Sequence, residues 1–97
     1  MPHYVYLMKL TDQGAKAIKE APARLEASFK AAAAMGGKVG EFFVVMGEYD
    51  YISFGEAPSD EVAATFSLAL AAQGNVKTTT LRAFTQEEFV GLVKKLP

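Results

Sequence analysis

The chain has 97 residues, which suits one domain with one hydrophobic core, and its 51% hydrophobic and 22% charged residues are typical of globular proteins. A formal net charge of −1 provides no electrostatic attraction to nucleic acid or to an anionic membrane surface. The sequence has no cysteine and one histidine, which excludes disulfides, thiolate metal sites, cysteine nucleophiles and a multi-histidine metal cage within one chain. We therefore predict no metal and no cofactor.

The N-terminal residues are typical of a strand and lack the charged start and small-residue cleavage site of a secretion signal. No segment approaches the ~20 apolar residues of a membrane span. We expect a cytoplasmic protein in which residues 1–97 form a single domain.

The first half of the chain predicts a strand and a helix. The strand, Tyr4 to Leu10, is apolar on both faces, which indicates burial on both sides. Thr11 and Asp12 cap a short helical turn, and Pro22 begins a helix that stops at the Gly36-Gly37 pair. Its run Ala31 to Ala34 predicts close contact between helix and sheet.

Two further strands, Val39 to Met46 and Tyr49 to Phe54, are separated by Gly47 and Glu48. A two-residue loop that begins with glycine predicts a hairpin with a type II′ turn. The simplest register pairs Val45 with Asp50, Phe43 with Ile52, and Glu41 with Phe54, and it puts Phe42, Val44, Met46, Tyr49 and Tyr51 on the opposite face. Both faces of the hairpin are largely apolar.

The second half predicts a helix capped by Ser59 and a strand from Val76 to Phe84. A short C-terminal helix follows, because Thr85 and Glu88 have the spacing of a capping box. Its apolar face comprises Phe89, Leu92, Val93 and Leu96.

This order of elements predicts an α+β, ferredoxin-like βαββαβ fold with a four-stranded antiparallel sheet, both main helices on one face, and an added C-terminal helix. No remaining segment is large enough to cover the second apolar face of the sheet. Since monomers rarely expose large apolar patches, we expect a homodimer, or a multiple of it, of the dimeric α/β-barrel type.

Gly47, Glu48, Tyr49 and Asp50 form a Gly-x-Tyr-Asp motif, through which the chain resembles the GYD domain family. The resemblance continues through almost the whole chain, at Thr11, Gly14, Ile18, Pro22, Arg24, Glu41, Phe42, Met46, Gly74, Asn75, Thr78 and Thr80 to Thr85. It implies the dimeric α/β-barrel fold and no particular reaction. The hairpin is also similar, more weakly, to the effector-binding domain of leucine-responsive regulators, but this chain has no helix-turn-helix segment.

Asp50 is a carboxylate with apolar neighbours, so it needs hydrogen bonds or a changed pKa. It either accepts main-chain N–H groups at the hairpin or pairs with Arg82, or it is a polar anchor or proton acceptor in a pocket. Thr78, Thr80 and Arg82 share a strand face that could bind an anion or hold a dimer together.

The candidate catalytic residues are His3 and Asp50, although a histidine at this position is often merely exposed. Candidate ligand-binding or interface residues are Tyr4, Tyr6, Phe42, Tyr49, Asp50, Tyr51 and Arg82. The tyrosines line either a pocket for an aromatic ligand or, as we favour, a contact between subunits.

The leading hypothesis is a self-associating, non-enzymatic module that binds a small organic ligand or serves in assembly. The alternative is a cofactor-independent oxygenase in which His3, Asp50 and a tyrosine handle protons around an aromatic substrate. A purely structural partner of another protein is the third possibility.

Overall fold

The computed structural model describes every residue from Met1 to Pro97. Its elements in chain order are β1 His3–Leu10, α1 Asp12–Lys16, α2 Ala21–Ala34, β2 Lys38–Val44, β3 Tyr51–Glu56, α3 Asp60–Ala72, β4 Val76–Ala83 and α4 Gln86–Lys94. A single 3-10 turn, Ile18–Glu20, joins α1 to α2. The strands form one antiparallel sheet in the order β2-β3-β1-β4, which confirms the predicted ferredoxin-like fold.

The core lies between the sheet and α3. Tyr4, Tyr6 and Met8 of β1 are buried there together with Ala63 and Leu70 of α3. Because side chains alternate along a strand, the intervening residues of β1 lie on the opposite face of the sheet. The sheet therefore has one face covered by helices and one face without a helix.

The predicted helix ends are confirmed. The side chains of Thr11 and Ser59 accept hydrogen bonds from Gly14 N at 3.1 Å and Val62 N at 3.2 Å, which caps α1 and α3. Gly36 ends α2 with a φ of +88°, a backbone conformation that glycine adopts without strain. At α4, the Thr85–Glu88 capping box is complete.

The hairpin differs in part from its prediction. Phe43 pairs with Ile52, and Val45 N donates to Asp50 O at 2.9 Å, so the predicted register is correct near the turn. The prediction of a tight two-residue turn is wrong, because β2 ends at Val44 and β3 begins only at Tyr51. Asp50 N instead donates to Met8 O of β1.

The predicted pairing of Glu41 with Phe54 is replaced by an irregularity between Val39 and Phe42 of β2. Phe54 therefore faces two residues, Gly40 and Glu41, which is the arrangement of a β-bulge. A Cβ on Gly40 would lie 2.7 Å from Phe54 O, so this close approach requires glycine.

The alanines of α2 do not make the predicted close contact with the sheet. Only Ala32 of the run from Ala31 to Ala34 is half-buried, and α2 contains no fully buried residue. Phe29 reaches Phe42 of β2, with ring centroids 6.0 Å apart. Helix α2 therefore stands away from the sheet, and a cavity lies beneath it.

No helix has both the length and the hydropathy needed to cross a bilayer.

Candidate functional site

A half-open cavity of 510 Å³ lies between the helix-covered sheet face and helices α2 and α3. Its lining is mostly apolar and includes Leu25 and Phe29 of α2, Met8 of β1 and Phe66 of α3. Polar groups reach it from Tyr6, Asp50, Ser28 and a few other residues. This volume falls within the range of about 300–1,000 Å³ typical of small-molecule sites.

Asp50 lines one end of this cavity. Its Oδ2 accepts a hydrogen bond from Leu10 N at 2.8 Å. The carboxylate of Asp50 therefore provides a hydrogen-bond acceptor for a main-chain N–H at the end of β1. Strand β1 pairs with β3, the second strand of the hairpin. Asp50 does not pair with Arg82, whose neighbours lie at the other end of the sheet.

Arg82 belongs to a second polar cluster, with Tyr4 and Asp60. The buried Tyr4 hydroxyl donates to Asp60 Oδ1, which also lies 3.8 Å from Arg82 Nε. Arg82 stacks over the Phe84 ring at 4.5 Å and lies 5.8 Å from the Tyr4 centroid. Burial, followed by the hydrogen bond to Asp60, raises the pKa of Tyr4 to about 12.

The face shared by Thr78, Thr80 and Arg82 lies beside α3, in an open groove on the helix-covered side. The hydroxyl groups of Thr80 and Ser67 are hydrogen-bonded to each other across this groove. The three residues therefore do not lie on the uncovered face that is available to a second sheet.

Tyr6 lines the cavity, and its hydroxyl makes no hydrogen bond within the chain. Burial raises the pKa of this hydroxyl above its usual range, so the group remains a neutral donor and acceptor at physiological pH. Tyr51 also lines the cavity with a hydroxyl that makes no hydrogen bond within the chain, so Tyr6 and Tyr51 are the candidate tyrosines available to orient a cavity ligand together with Asp50.

His3 lies on the uncovered sheet face at the start of β1. Its ring nitrogens are 3.7 Å from Glu56 Oε1 and 3.9 Å from Glu88 Oε1. Asp50 contacts Leu10 at the other end of β1, and eight extended residues span about 24 Å. The structure therefore does not bring His3 and Asp50 to one substrate.

The other aromatic candidates divide between two places. Phe42 and Tyr51 lie on the helix-covered face, with ring centroids 5.3 Å apart, and both line the cavity. Tyr49 lies at the hairpin beside Lys9, whose Nζ is 5.3 Å from the ring centroid. Since Tyr4, Tyr6 and Tyr51 are covered by helices, they do not form the face left open for a second subunit.

The uncovered sheet face, which we call the open face, is apolar at its centre. Strand pairing places Val5 against Phe54 and Leu81, and Leu7 against Ile52. The centre of the open face consists of Val5, Leu7, Phe43, Ile52, Phe54, Thr79 and Leu81, and His3 lies at its edge. Phe43, Phe54 and Leu81 are 41% to 48% exposed.

These open-face residues were not among the candidates singled out from the sequence. The available signal was the apolar character of both faces of β1 and of the hairpin. Sequence alone did not tell which of the two faces the helices would cover.

No group of three or more His, Asp or Glu side chains lies close enough together to hold a metal ion.

Comparison with known proteins assigns the chain to a family. The model of the GYD domain matches residues 4–93. A protein of Thermus thermophilus, described as "glutamine synthetase and cystathionine beta-lyase binding protein", is 33% identical over 95 residues, which cover 97% of this chain and all of the relative. No solved structure matches the chain. The family match and the full-length similarity agree with the Gly-x-Tyr-Asp motif, and the chain belongs to the GYD domain family.

Proposed function

We propose that this chain is a protein-binding module that self-associates through its open face, rather than an enzyme. The observation that carries the proposal is the open face itself, where aromatic and aliphatic side chains of all four strands have no covering element. Exposed apolar patches of this kind mark protein contacts.

A second copy of the chain is the proposed occupant of the open face. A two-fold contact brings the same patch from both copies together, so one apolar sheet face covers another. Phe43 and Phe54, whose ring centroids are 6.4 Å apart, form an aromatic pair at this face. Aromatic side chains are enriched at the centres of protein contacts.

The relative's description supports a second, heterologous partner. We propose that the dimer binds a glutamine synthetase or a cystathionine β-lyase, because the relative is described as binding these two enzymes. Similarity over nearly the full length of both chains supports a protein-binding role for this chain.

Biolayer interferometry with the immobilised chain tests this partnership. The analytes are purified glutamine synthetase and cystathionine β-lyase from the organism that encodes this chain. The control analyte is an unrelated protein of a size similar to theirs. We expect saturable binding of at least one of the two enzymes. Failure of both enzymes to bind would contradict the proposed partnership.

The 510 Å³ cavity favours a second candidate function, the binding of a small, mainly apolar molecule with a hydroxyl or amino group. Asp50 and the Tyr6 hydroxyl would hold the polar group, and Phe29 and Phe66 would pack against the apolar part. The oxygenase alternative lacks comparable support, because His3 and Asp50 lie at opposite ends of β1.

Native mass spectrometry with 2-naphthol as the probe tests the cavity. The variant Ala32→Phe places a ring in the cavity, whereas Ala33→Phe adds the same ring at an exposed neighbouring position. We expect the Ala33→Phe variant to bind 2-naphthol like the native chain and the Ala32→Phe variant to lose binding. Equal binding by both variants would place the probe elsewhere.

A further inference from the structure

The C-terminal helix α4 has a defined local structure but contributes nothing to the core. Its start is held by the Thr85–Glu88 capping box, and only two residues, Phe84 and Thr85, connect it to β4. No residue of α4 is buried. The apolar side chains of α4 and the residues after it are 44% to 69% exposed, namely Phe89, Val90, Leu92, Val93 and Leu96.

A nine-residue helix whose apolar side chains are so exposed is not expected to be stable by itself. Isolated helices shorter than about 12–15 residues are marginal in water, and most helix stability in proteins comes from packing of an apolar face. The apolar residues of α4 therefore need a surface that this chain does not supply.

The overall dimensions of the chain agree with a helix α4 that projects from the rest of the domain. The radius of gyration is 14.7 Å, whereas a compact domain of this length has one of about 12.5 Å. The longest principal dimension is 52 Å and the shortest is 19 Å. The chain is therefore more extended than a compact domain of its length.

We infer that α4 is an arm that packs against a second copy of this chain, beside the contact between the two open faces. This inference rests on the proposed self-association. The start of α4 adjoins the open face, because Glu88 Oε1 lies 3.9 Å from Nδ1 of His3, which is on that face. The first turn of α4 therefore lies beside the proposed contact.

The area of the open face also calls for an additional contact. Its apolar centre, four strands wide and about four residues long, covers roughly 260 Å² in plan at strand spacings of about 4.8 Å and about 3.4 Å per residue. A stable interface buries about 800 Å² per partner. Packing of α4 on the second copy adds five exposed apolar side chains to the contact that the sheet forms.

The absence of cysteine permits a direct test by cross-linking. Leu92→Cys, labelled with benzophenone maleimide, carries the cross-linker on α4, and Lys30→Cys carries it on the exposed side of α2 as the control. Dimers are formed from a mixture of ¹⁵N-labelled and unlabelled chains, irradiated and digested. Peptide pairs of mixed isotope content then report contacts between copies.

We expect mixed-isotope cross-links from the label on α4 and none from the label on α2. A second variant, Leu92→Glu, should weaken the dimer at least tenfold in sedimentation equilibrium, while Leu68→Glu on α3 should not. Because Leu92 and Leu68 are both exposed and lie outside the core, the sheet should stay folded in both glutamate variants, as hydrogen exchange of the β1 amides measures.

The two proposals fail in different ways. A native chain that sediments as a dimer, whose Leu92→Cys variant gives only within-chain cross-links and whose dimer is unaffected by Leu92→Glu, would overturn the arm and leave the open-face contact standing. A native chain that sediments as a monomer would overturn both.

Discussion

At the residue scale, Asp50 is a candidate ligand-binding residue whose carboxylate also makes a hydrogen bond to the main chain. Its carboxylate accepts the Leu10 N–H at the end of β1. We expect Asp50→Ala to lower the free energy of unfolding by about 1–3 kcal/mol, because a half-buried main-chain donor loses its acceptor. Urea unfolding measures this loss.

Asp50→Asn is the matched control for this prediction, since the amide oxygen still accepts the same hydrogen bond. It should retain most of the stability that Asp50→Ala loses. Equal destabilisation by the two variants would show that the charge of Asp50, and not its acceptor role at Leu10, matters.

The raised pKa of the Tyr4 hydroxyl predicts that the free energy of unfolding falls in alkali. Its pKa is raised from 10.0 to about 12 in the folded protein, so the folded state holds this proton more tightly than the unfolded state does. The resulting stabilisation is fully present below pH 10.0 and is lost as the pH rises toward 12.

Urea unfolding at a series of pH values between about 9 and 11.5 tests the Tyr4 prediction. The native chain should lose stability more steeply than Tyr4→Phe over this range, while Tyr49→Phe, at the hairpin, should follow the native chain. Parallel curves for the native chain and Tyr4→Phe would refute the assignment.

At the element scale, the local chemistry of the helix ends was predictable because it lies within four residues of sequence. Ser59 and the Thr85–Glu88 pair act where their spacing indicated. The distance of α2 from the sheet was not predictable, because alanines in phase with Leu25 and Phe29 are compatible with either close packing or a cavity. The same limit applies to Asp50, whose partner at Leu10 is 40 residues away in the chain.

The capping box of α4 gives an element-scale prediction. Thr85→Ala removes the acceptor for Glu88 N and should cost about 0.5–2 kcal/mol of helix stability. Gly91→Ala should have the opposite effect, since no atom lies within 4 Å of the added Cβ and alanine favours a helix. Hydrogen exchange of the α4 amides measures both changes.

Amide protection in α4 should fall in Thr85→Ala and rise in Gly91→Ala, while protection in β1 stays constant. The main-chain hydrogen bond from Thr85 also holds the pKa of Glu88 below its ordinary value. This part of the capping is therefore present above pH 4.5 and lost as the pH falls below it. Unchanged α4 protection in both variants would contradict the prediction.

At the scale of the whole molecule, the sequence was sufficient for the fold and for the expectation of an uncovered apolar face. It did not identify that face. The tyrosines of β1 and β3 suggested a contact surface, yet the helices cover them, and the less conspicuous residues Val5, Ile52 and Leu81 form the open face. Side-chain alternation defines two faces of a sheet, but which one the helices cover depends on long-range packing.

Self-association through the open face is the central proposal, and sedimentation equilibrium of the native chain beside Phe54→Glu and Leu68→Glu tests it directly. Phe54 and Leu68 are both exposed, so either glutamate is tolerated in a folded monomer, but only Phe54 lies on the open face. We expect a dimer for the native chain and for Leu68→Glu, and a monomer for Phe54→Glu. A native monomer of 10.4 kDa, or a Phe54→Glu variant that dimerises as tightly as the native chain, would contradict it.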